Sequence, residues 1–331
     1  MIWLTWRQHR QQALAGLIGL ALLATWLFVS HLGIARVFRS SGLASCLSSP
    51  GQGCSSQADA FSHHYQGLQF LIPLFLLVPL FVGLFWGAPL VAREIEQGTQ
   101  RLVWTQSVTR SQWFWSKLSL IAGAAVAGAV AFAQLVTWWS SMFVQASTDR
   151  IVPGIFDIRG IVPIAYVLFA LALCVLMGSL IRRTLPAMAA TLAGFVAVRA
   201  LVTLKLRPHY LPGQTISESI LKNPGAQNIT SNDWVLHTDT VNGAGHILAS
   251  GSARLDFNYL AARCHGFPGP GRFPSPRVLT QCVNKLGIHL VDKVQPGTRF
   301  WAFQGIESAI YIVLAAALLV VSAWVVKRRL A

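Results

Sequence analysis

Six long apolar stretches divide the chain, at residues 13–35, 68–92, 118–143, 161–181, 185–204 and 303–326. Each reaches the roughly 20 residues an α-helix needs to cross a hydrocarbon core of about 30 Å. The pattern predicts three hairpins, formed by spans one and two, three and four, and five and six. Between spans four and five only Ile181, Arg182, Arg183 and Thr184 turn the chain, and Pro186 suits the first turn of the next helix. Between spans two and three lies a charged, amphipathic segment over 93–117. There the helix is expected to run on through Gln97 and stop at Gly98, and Thr109-Arg110-Ser111-Gln112 reads as a capping box opening the next one. The longest connection, 205–300, holds Pro208, Pro212, Pro224 and the run GFPGPGRFPSP at 266–276. Such density of Pro and Gly predicts irregular or polyproline-like backbone, with short strands or helices near 234–236 and 285–291. The first apolar run exceeds the 7 to 15 residues of a signal h-region and lacks a clean cleavage site, so it reads as an uncleaved anchor.

Composition agrees that the solvent is mostly lipid: 54% of the 331 residues are hydrophobic and 11% are charged. Lys and Arg in the short connections set the orientation. With the N-terminus inside, Arg7, Arg10, Arg93, Arg101, Arg110, Lys117, Arg182, Arg183, Lys327, Arg328 and Arg329 fall in the cytoplasm, opposed only by Glu94 and Glu96. Both termini are therefore expected to be cytoplasmic. The net charge of +15 does not imply nucleic acid, because no folded basic module with stacking aromatics is recognisable; anionic lipid headgroups account for cations beside apolar spans. Cys46 and Cys54 share the first outer loop, Cys264 and Cys282 the last, and Cys174 sits alone in the fourth span. The two outer pairs are candidate disulfides, the alternative being free thiols.

Sequence motifs for chemistry are missing. HExxH, GxSxG and GxxxxGK[ST] do not occur, so no metalloprotease, hydrolase or nucleotide-binding signature is present. His63, His64 and Tyr65 before span two read as a metal or proton site or as an interfacial polar cluster. Arg199 lies inside the fifth span, about five residues from its outer end, where a long side chain can snorkel; an intramembrane charge is equally a candidate for the transport pathway. Gln134 in span three is a second pathway candidate or an interhelical hydrogen bonder. Gly123, Ala127, Gly128 and Ala131 in span three, with Ala15 and Gly19 in span one, form small-residue faces that allow close helix packing.

The segment 93–117 carries both cytoplasmic carboxylates, a Gly-Thr break and an apolar knob at Leu102, Val103 and Trp104. Its residues fit either a groove on a partner or the inner leaflet. Here the chain resembles the membrane-spanning subunit of ABC transporters of the ABC-2, type V exporter-like class. The likeness rests on Glu94, Glu96, Gly98, Thr99, Leu102, Val108, Thr109, Arg110 and Lys117, and on the opening MIWLTWRQHR, the segment GAPLVAREIEQGTQRLVWTQSVTR and the closing RFWAFQGIE. Together these are similar to an actinobacterial branch of such permeases.

The resemblance implies an all-α integral membrane protein of six transmembrane helices with a large extracytoplasmic loop between helices 5 and 6. Residues 1–204 would hold helices 1–5 and the coupling segment 93–117, residues 205–300 the outer subdomain, and residues 301–331 helix 6 and a basic tail. It also implies a homodimer or heterodimer of permeases in a bacterial cell membrane, coupled to a separate ABC ATP-binding subunit that carries ATP and Mg; no cofactor is expected in this chain. Glu94, Glu96, Gly98, Thr99, Arg101 and Leu102 would contact that subunit, with the Arg182–Arg183 turn as a second contact. A reading from another class remains: a non-transporting membrane scaffold or sensor with a ligand-binding outer loop.

Overall fold

The computed structural model describes residues 2–49, 54–69, 71–88, 90, 92, 96, 109–147, 150–219, 233–251, 257–266 and 274–329. Its helices include α1 (Ile2–Ser40), α2 (Leu43–Ser48), α3 (Ser55–His64), α4 (Leu71–Ala88), α5 (Arg110–Trp139), α6 (Ser141–Ser147), α7 (Ile155–Ile158), α8 (Val162–Ile181), α9 (Thr184–Leu201), α10 (Pro276–Leu286) and α11 (Phe300–Arg329), with short turns of helix at Gln66–Gln69 and Phe257–Ala261. Among the described residues, helical stretches within Arg10–Ser40, Ser111–Trp139, Val162–Ile181, Thr184–His209 and Gly297–Arg328 are long and apolar enough to cross a membrane. Leu71–Gly87 is apolar but shorter.

Helix α8 is the axis of the bundle. It is apolar on every face, so a stable position requires neighbours all round, and α4, α5, α9 and α11 supply them. Its aromatic residues Tyr166 and Phe169 pack with Phe195 of α9 and Tyr311 of α11. The predicted capping box forms: Gln112 N donates to Thr109 Oγ1 at 3.2 Å and Thr109 N to Gln112 Oε1 at 3.3 Å. Helix α5 thus starts eight residues before the apolar run that announced it, because a satisfied N-terminus lets the polar turn join the helix.

Close packing falls elsewhere than expected. Gly19, Gly123 and Gly128 meet nothing within 4 Å; Gly19 and Gly128, with Ala127 and Ala131, line an apolar cavity of about 610 Å³ between α1, α4, α5 and the start of α8. The tight crossing is α4 on α8. A Cβ at Gly83 would collide with Ala170 Cβ and lie 2.8 Å from Ala170 C and 2.9 Å from Leu171 N, and one at Gly87 would lie 2.9 Å from Cys174 Cβ. These two glycines are spaced G-x-x-x-G, which lets backbones approach.

The region after α9 adds strands to the otherwise helical chain, two of them where short strands or helices were expected near 234–236 and 285–291. It folds as a four-stranded antiparallel sheet of β1 (Gln214–Ser219), β2 (Trp234–Val241), β3 (Ile247–Ser250) and β4 (His289–Gln295), in the order β1-β4-β2-β3. Proline and glycine lie mostly between these strands, where they favour turns without interrupting a ladder. Strand β2 turns into β3 through Asn242, whose Oδ1 accepts from the Ala244 and His246 amides at 3.1 and 2.9 Å. Amphipathic α10 places Leu279, Cys282, Val283 and Leu286 one turn apart, and with Leu260, Cys264 and Ile288 they make a small second core. Its polypeptide is stapled by Cys264–Cys282, with Cα atoms 5.5 Å apart, while Cys46–Cys54 at 5.9 Å ties α2 to the start of α3. Gln295 and Arg299 bond the carbonyls of Leu211 and Pro212, both at 2.6 Å, fastening the sheet to the bundle.

Replacing Gly83 by Leu is expected to destabilise the detergent-solubilised protein by about 1 to 3 kcal/mol through overpacking, read as a lower midpoint of thermal unfolding. Gly123→Ala, with open space at its Cβ, is expected to leave that midpoint unchanged or slightly raised.

Candidate functional site

Two helices of the bundle lack an N-terminal side-chain cap of their own and receive one from a distant part of the chain. At the end holding the Arg182–Thr184 turn, Arg182 closes α8 in the left-handed region with φ 60°, and both arginines are exposed. Arg183 precedes α9 without capping it. The cap comes from Glu96, whose Oε2 accepts from Thr184 N at 3.1 Å and from Thr184 Oγ1 at 2.7 Å. A carboxylate there satisfies an orphan amide and faces the positive end of the helix dipole. The Thr184 hydroxyl and amide, in that order, hold Glu96 below the usual carboxylate range, with Arg183 adding to the effect. Thus Glu96 and the Arg182–Arg183 turn, 86 and 87 positions apart in sequence, meet in space. Glu94, Gly98, Thr99, Arg101 and Leu102 lie outside the described residues.

At the opposite end, beside the sheet, α8 is capped from α11. Gln304 Oε1 accepts from the Ile161 and Val162 amides, both at 2.9 Å, and its Nε2 donates to Phe156 O at 3.0 Å. Gly160, at φ 70°, makes room: a Cβ there would stand 2.6 Å from Gln304 Oε1.

One turn further along α11 a buried ionic cluster begins. Arg207 Nε and Nη2 grip Glu307 in a two-toothed contact at 2.8 and 2.6 Å, and Nη2 also pairs with Asp157 Oδ1. Arg199 Nη2 lies 3.0 Å from Asp157 Oδ2, with its guanidinium 4.2 Å over the Tyr166 ring. Tyr166 donates to Glu307 and sits 3.1 Å from Asp157 Oδ1, while Tyr210 donates to Glu307 Oε2 at 3.2 Å. Two guanidinium and two carboxylate groups leave the cluster formally neutral. Arg207 and Glu307 are 0% exposed, so each charge depends on the others.

A π-helix over Val202–Leu206 sets the geometry. At about 100° per residue an unbroken α-helix would carry Arg207 roughly 80° round the axis from Arg199. The wider turn of a π-helix, about 4.4 residues, takes back roughly 90° over five residues and stacks the two arginines on one face.

The Arg199 side chain turns into the cluster, where Asp157 is its buried partner. Gln134, by contrast, is exposed on α5. The sequence singled out Arg199 alone as an intramembrane charge, yet Glu307 lies within the predicted sixth span. An inventory of opposite charges at span ends, Glu307 against Arg207, was the available signal. Asp157, in the connection before α8, gave none.

Two other constellations contain histidine. His237 Nε2 lies 2.9 Å from both Asp239 Oδ1 and Ser250 Oγ, and Ser250 bonds Asp239 directly. A relay needs the acid and the nucleophile on different ring nitrogens. His63 and His64 end α3 exposed, and among the described residues no three His, Cys, Asp or Glu side chains group as a metal site.

Arg207→Met, which takes from buried Glu307 its close cation and leaves Asp157 with Arg199 alone, is expected to cost about 3 to 5 kcal/mol, measured by thermal unfolding in detergent. Asp157 lies outside the long apolar helices. Burial would raise its pKa, but Arg199 and Arg207 outweigh that and lower it to about 2, from 3.8. Its stabilisation is therefore complete above about pH 4 and lost as pH falls toward 2. Asp157→Asn is expected to flatten the stability profile in that window.

No curated protein matches the sequence. The family described as ABC-2 membrane transporter related matches residues 17–207, which run from the first apolar helix through the whole of α9 to Arg207 of the cluster. That match spans more than half of the chain and covers the apolar helices from α1 through α9, with α11 beyond it: this is a multi-pass membrane protein of the ABC-2 permease type, a member of the ABC-2 membrane transporter related family.

Proposed function

We propose that the chain is the membrane-spanning permease subunit of an ATP-driven ABC exporter, forming the translocation pathway as a homodimer or heterodimer and taking its energy from a separate ATP-binding subunit. The observation that carries this reading is the Glu96–Thr184 contact. It joins the segment expected to dock the ATPase to the first turn of a membrane helix, so displacement of one pulls directly on the other. ATP and Mg belong to the partner on this reading.

Six helices span the membrane in this proposal. The sixth is α4, whose 18 residues rise about 27 Å at 1.5 Å per residue, close to the hydrocarbon thickness with little tilt. The Glu96 end, with its exposed arginines and the basic end of α11, faces the cytoplasm. The sheet, both disulfides and residues 205–300 face outward, in keeping with the oxidising compartments where disulfides persist. Gln134, exposed on α5, faces the pathway or the second permease.

Coexpression with the cognate ATP-binding subunit tests the coupling. Wild-type chain is expected to copurify with that subunit, and Glu96→Gln combined with Thr184→Val is expected to retain the complex while lowering its ATP hydrolysis. A wild-type chain that retains no ATPase would overturn the reading. For orientation, an impermeant maleimide applied to cells is expected to label Ala244→Cys in the β2–β3 turn and to spare Arg183→Cys; the reverse pattern would invert the topology.

A further inference from the structure

A second cavity, of about 290 Å³, opens at the sheet-side end of the bundle, where α3, the outer turns of α4, the α5–α6 junction and the segment leading into α7 meet. Four aromatic side chains surround it. Phe61 lies 5.3 Å from Tyr65 and 5.7 Å from Phe143, Tyr65 lies 5.7 Å from Phe143, and Phe143 lies 5.3 Å from Trp139, measured between ring centres. Ile72 and Ile158 complete the apolar wall. The roof is not a loose loop, since the Cys46–Cys54 bridge fixes the start of α3 and Phe61 is buried within the larger apolar cluster.

Cations flank the lining residues of this cavity along the chain without lining it themselves. Arg150 lies two residues before the lining residue Val152, and Arg159 directly follows Ile158. Arg36 of α1 is near enough to Tyr65 for its charge to act on the phenol. Among the described residues no carboxylate pairs with any of the three; the ion pairs there engage Arg199, Arg207 and His237 instead. The Nε of Arg159 is buried without a hydrogen-bond partner, and burial, then the charge of Arg150, depresses its pKa to about 10. An apolar chamber beside unpaired cations is complementary to a molecule with a hydrocarbon tail and an anionic head.

We propose that this cavity is a binding site for an anionic membrane lipid, one acyl chain entering between Phe61, Tyr65, Trp139 and Phe143 while the headgroup meets Arg150 and Arg159. Ser62, Tyr65 and Ser140 lend the wall some polar surface, but most of the lining is hydrocarbon, as an acyl chain requires. At the ~30 Å³ liquid share of a small group, the volume accepts roughly nine or ten methylene-sized units, about half of a common acyl chain. Each arginine near the headgroup adds attraction of the kind that holds basic segments to anionic leaflets. The site does not depend on the exporter reading, since it requires only that this end of the bundle contact a leaflet.

The test uses the full chain in phosphatidylcholine nanodiscs containing palmitic acid with a diazirine in its chain, or the methyl ester of that probe. After illumination, adducts are mapped by peptide mass spectrometry. Labelling by the acid is expected on the peptides bearing Phe61–Tyr65 and Phe143–Val144. Ile72→Trp, which fills the chamber, is expected to abolish it for acid and ester alike. Arg150→Gln with Arg159→Gln is expected to lower acid labelling roughly fivefold or more, to the level of the ester, and to leave ester labelling unchanged. Unfolding midpoints accompany each variant, and Val144→Phe serves as the filling variant if Ile72→Trp fails to fold. Adducts confined to the exposed face of α1, or cavity labelling that survives filling, would overturn the site. Equal labelling of the wild type by acid and ester would overturn the anionic head.

Discussion

The sheet-side end of this protein depends on one neutral knot of charge. Asp157, Arg199, Arg207 and Glu307, bound together with Tyr166 and Tyr210, bring together the connection before α8, both halves of the π-interrupted helix and the start of α11. Well-packed apolar side chains of the same volume would hold those elements about as firmly. What the charges add is direction. An apolar contact tolerates a slipped or rotated neighbour, whereas a two-toothed guanidinium–carboxylate pair is satisfied in few orientations. The Gln304 cap one turn away has the same character, fixing α11 against the first amides of α8.

Helix α9 is consequently held at both ends by groups from elsewhere in the chain. Its first turn is bound by Glu96, and its last turns, through Arg199 and Arg207, are bound to Asp157 and Glu307. A rigid helix fixed in this way carries displacement from one end to the other. On the proposed function, a pull on the Glu96 segment would arrive at the outer cluster and, through Gln295 and Arg299, at the sheet. On the other side of the bundle α1 packs against α5 beside an apolar cavity, with Trp139 Nε1 donating to Ser30 Oγ at 2.9 Å, and its outward face exposes Leu17, Leu22 and Val29.

Much of this architecture was legible along the chain. The apolar runs announced the bundle, Thr109 and Gln112 announced the start of α5, and the short Arg182–Arg183 turn announced a tight hairpin. Failures were of one kind. Small residues in α1 and α5 looked like packing faces but line open space, while Gly83 and Gly87, hidden in a run of Leu, Phe and Val, make the closest crossing. A small residue permits approach; only the neighbour decides whether approach occurs. The proline-rich connection read as irregular apart from short strands or helices near 234–236 and 285–291, and the extent and pairing of its strands stayed hidden, since β-pairing at separations of up to 80 residues leaves no local periodic signal in short strands.

What the sequence determined by itself was therefore the membrane class and its inventory: an apolar helical bundle, two pairs of cysteines and a charged segment between the second and third apolar runs. These follow from hydropathy, spacing and local capping, which act over a few residues. Tertiary structure alone decided which charges meet. Glu96 with Thr184, and Arg207 with Glu307 across 100 positions, are pairings between distant groups. Each was chosen because a buried charge or an orphan helix amide must find a partner, and the fold brought one within reach.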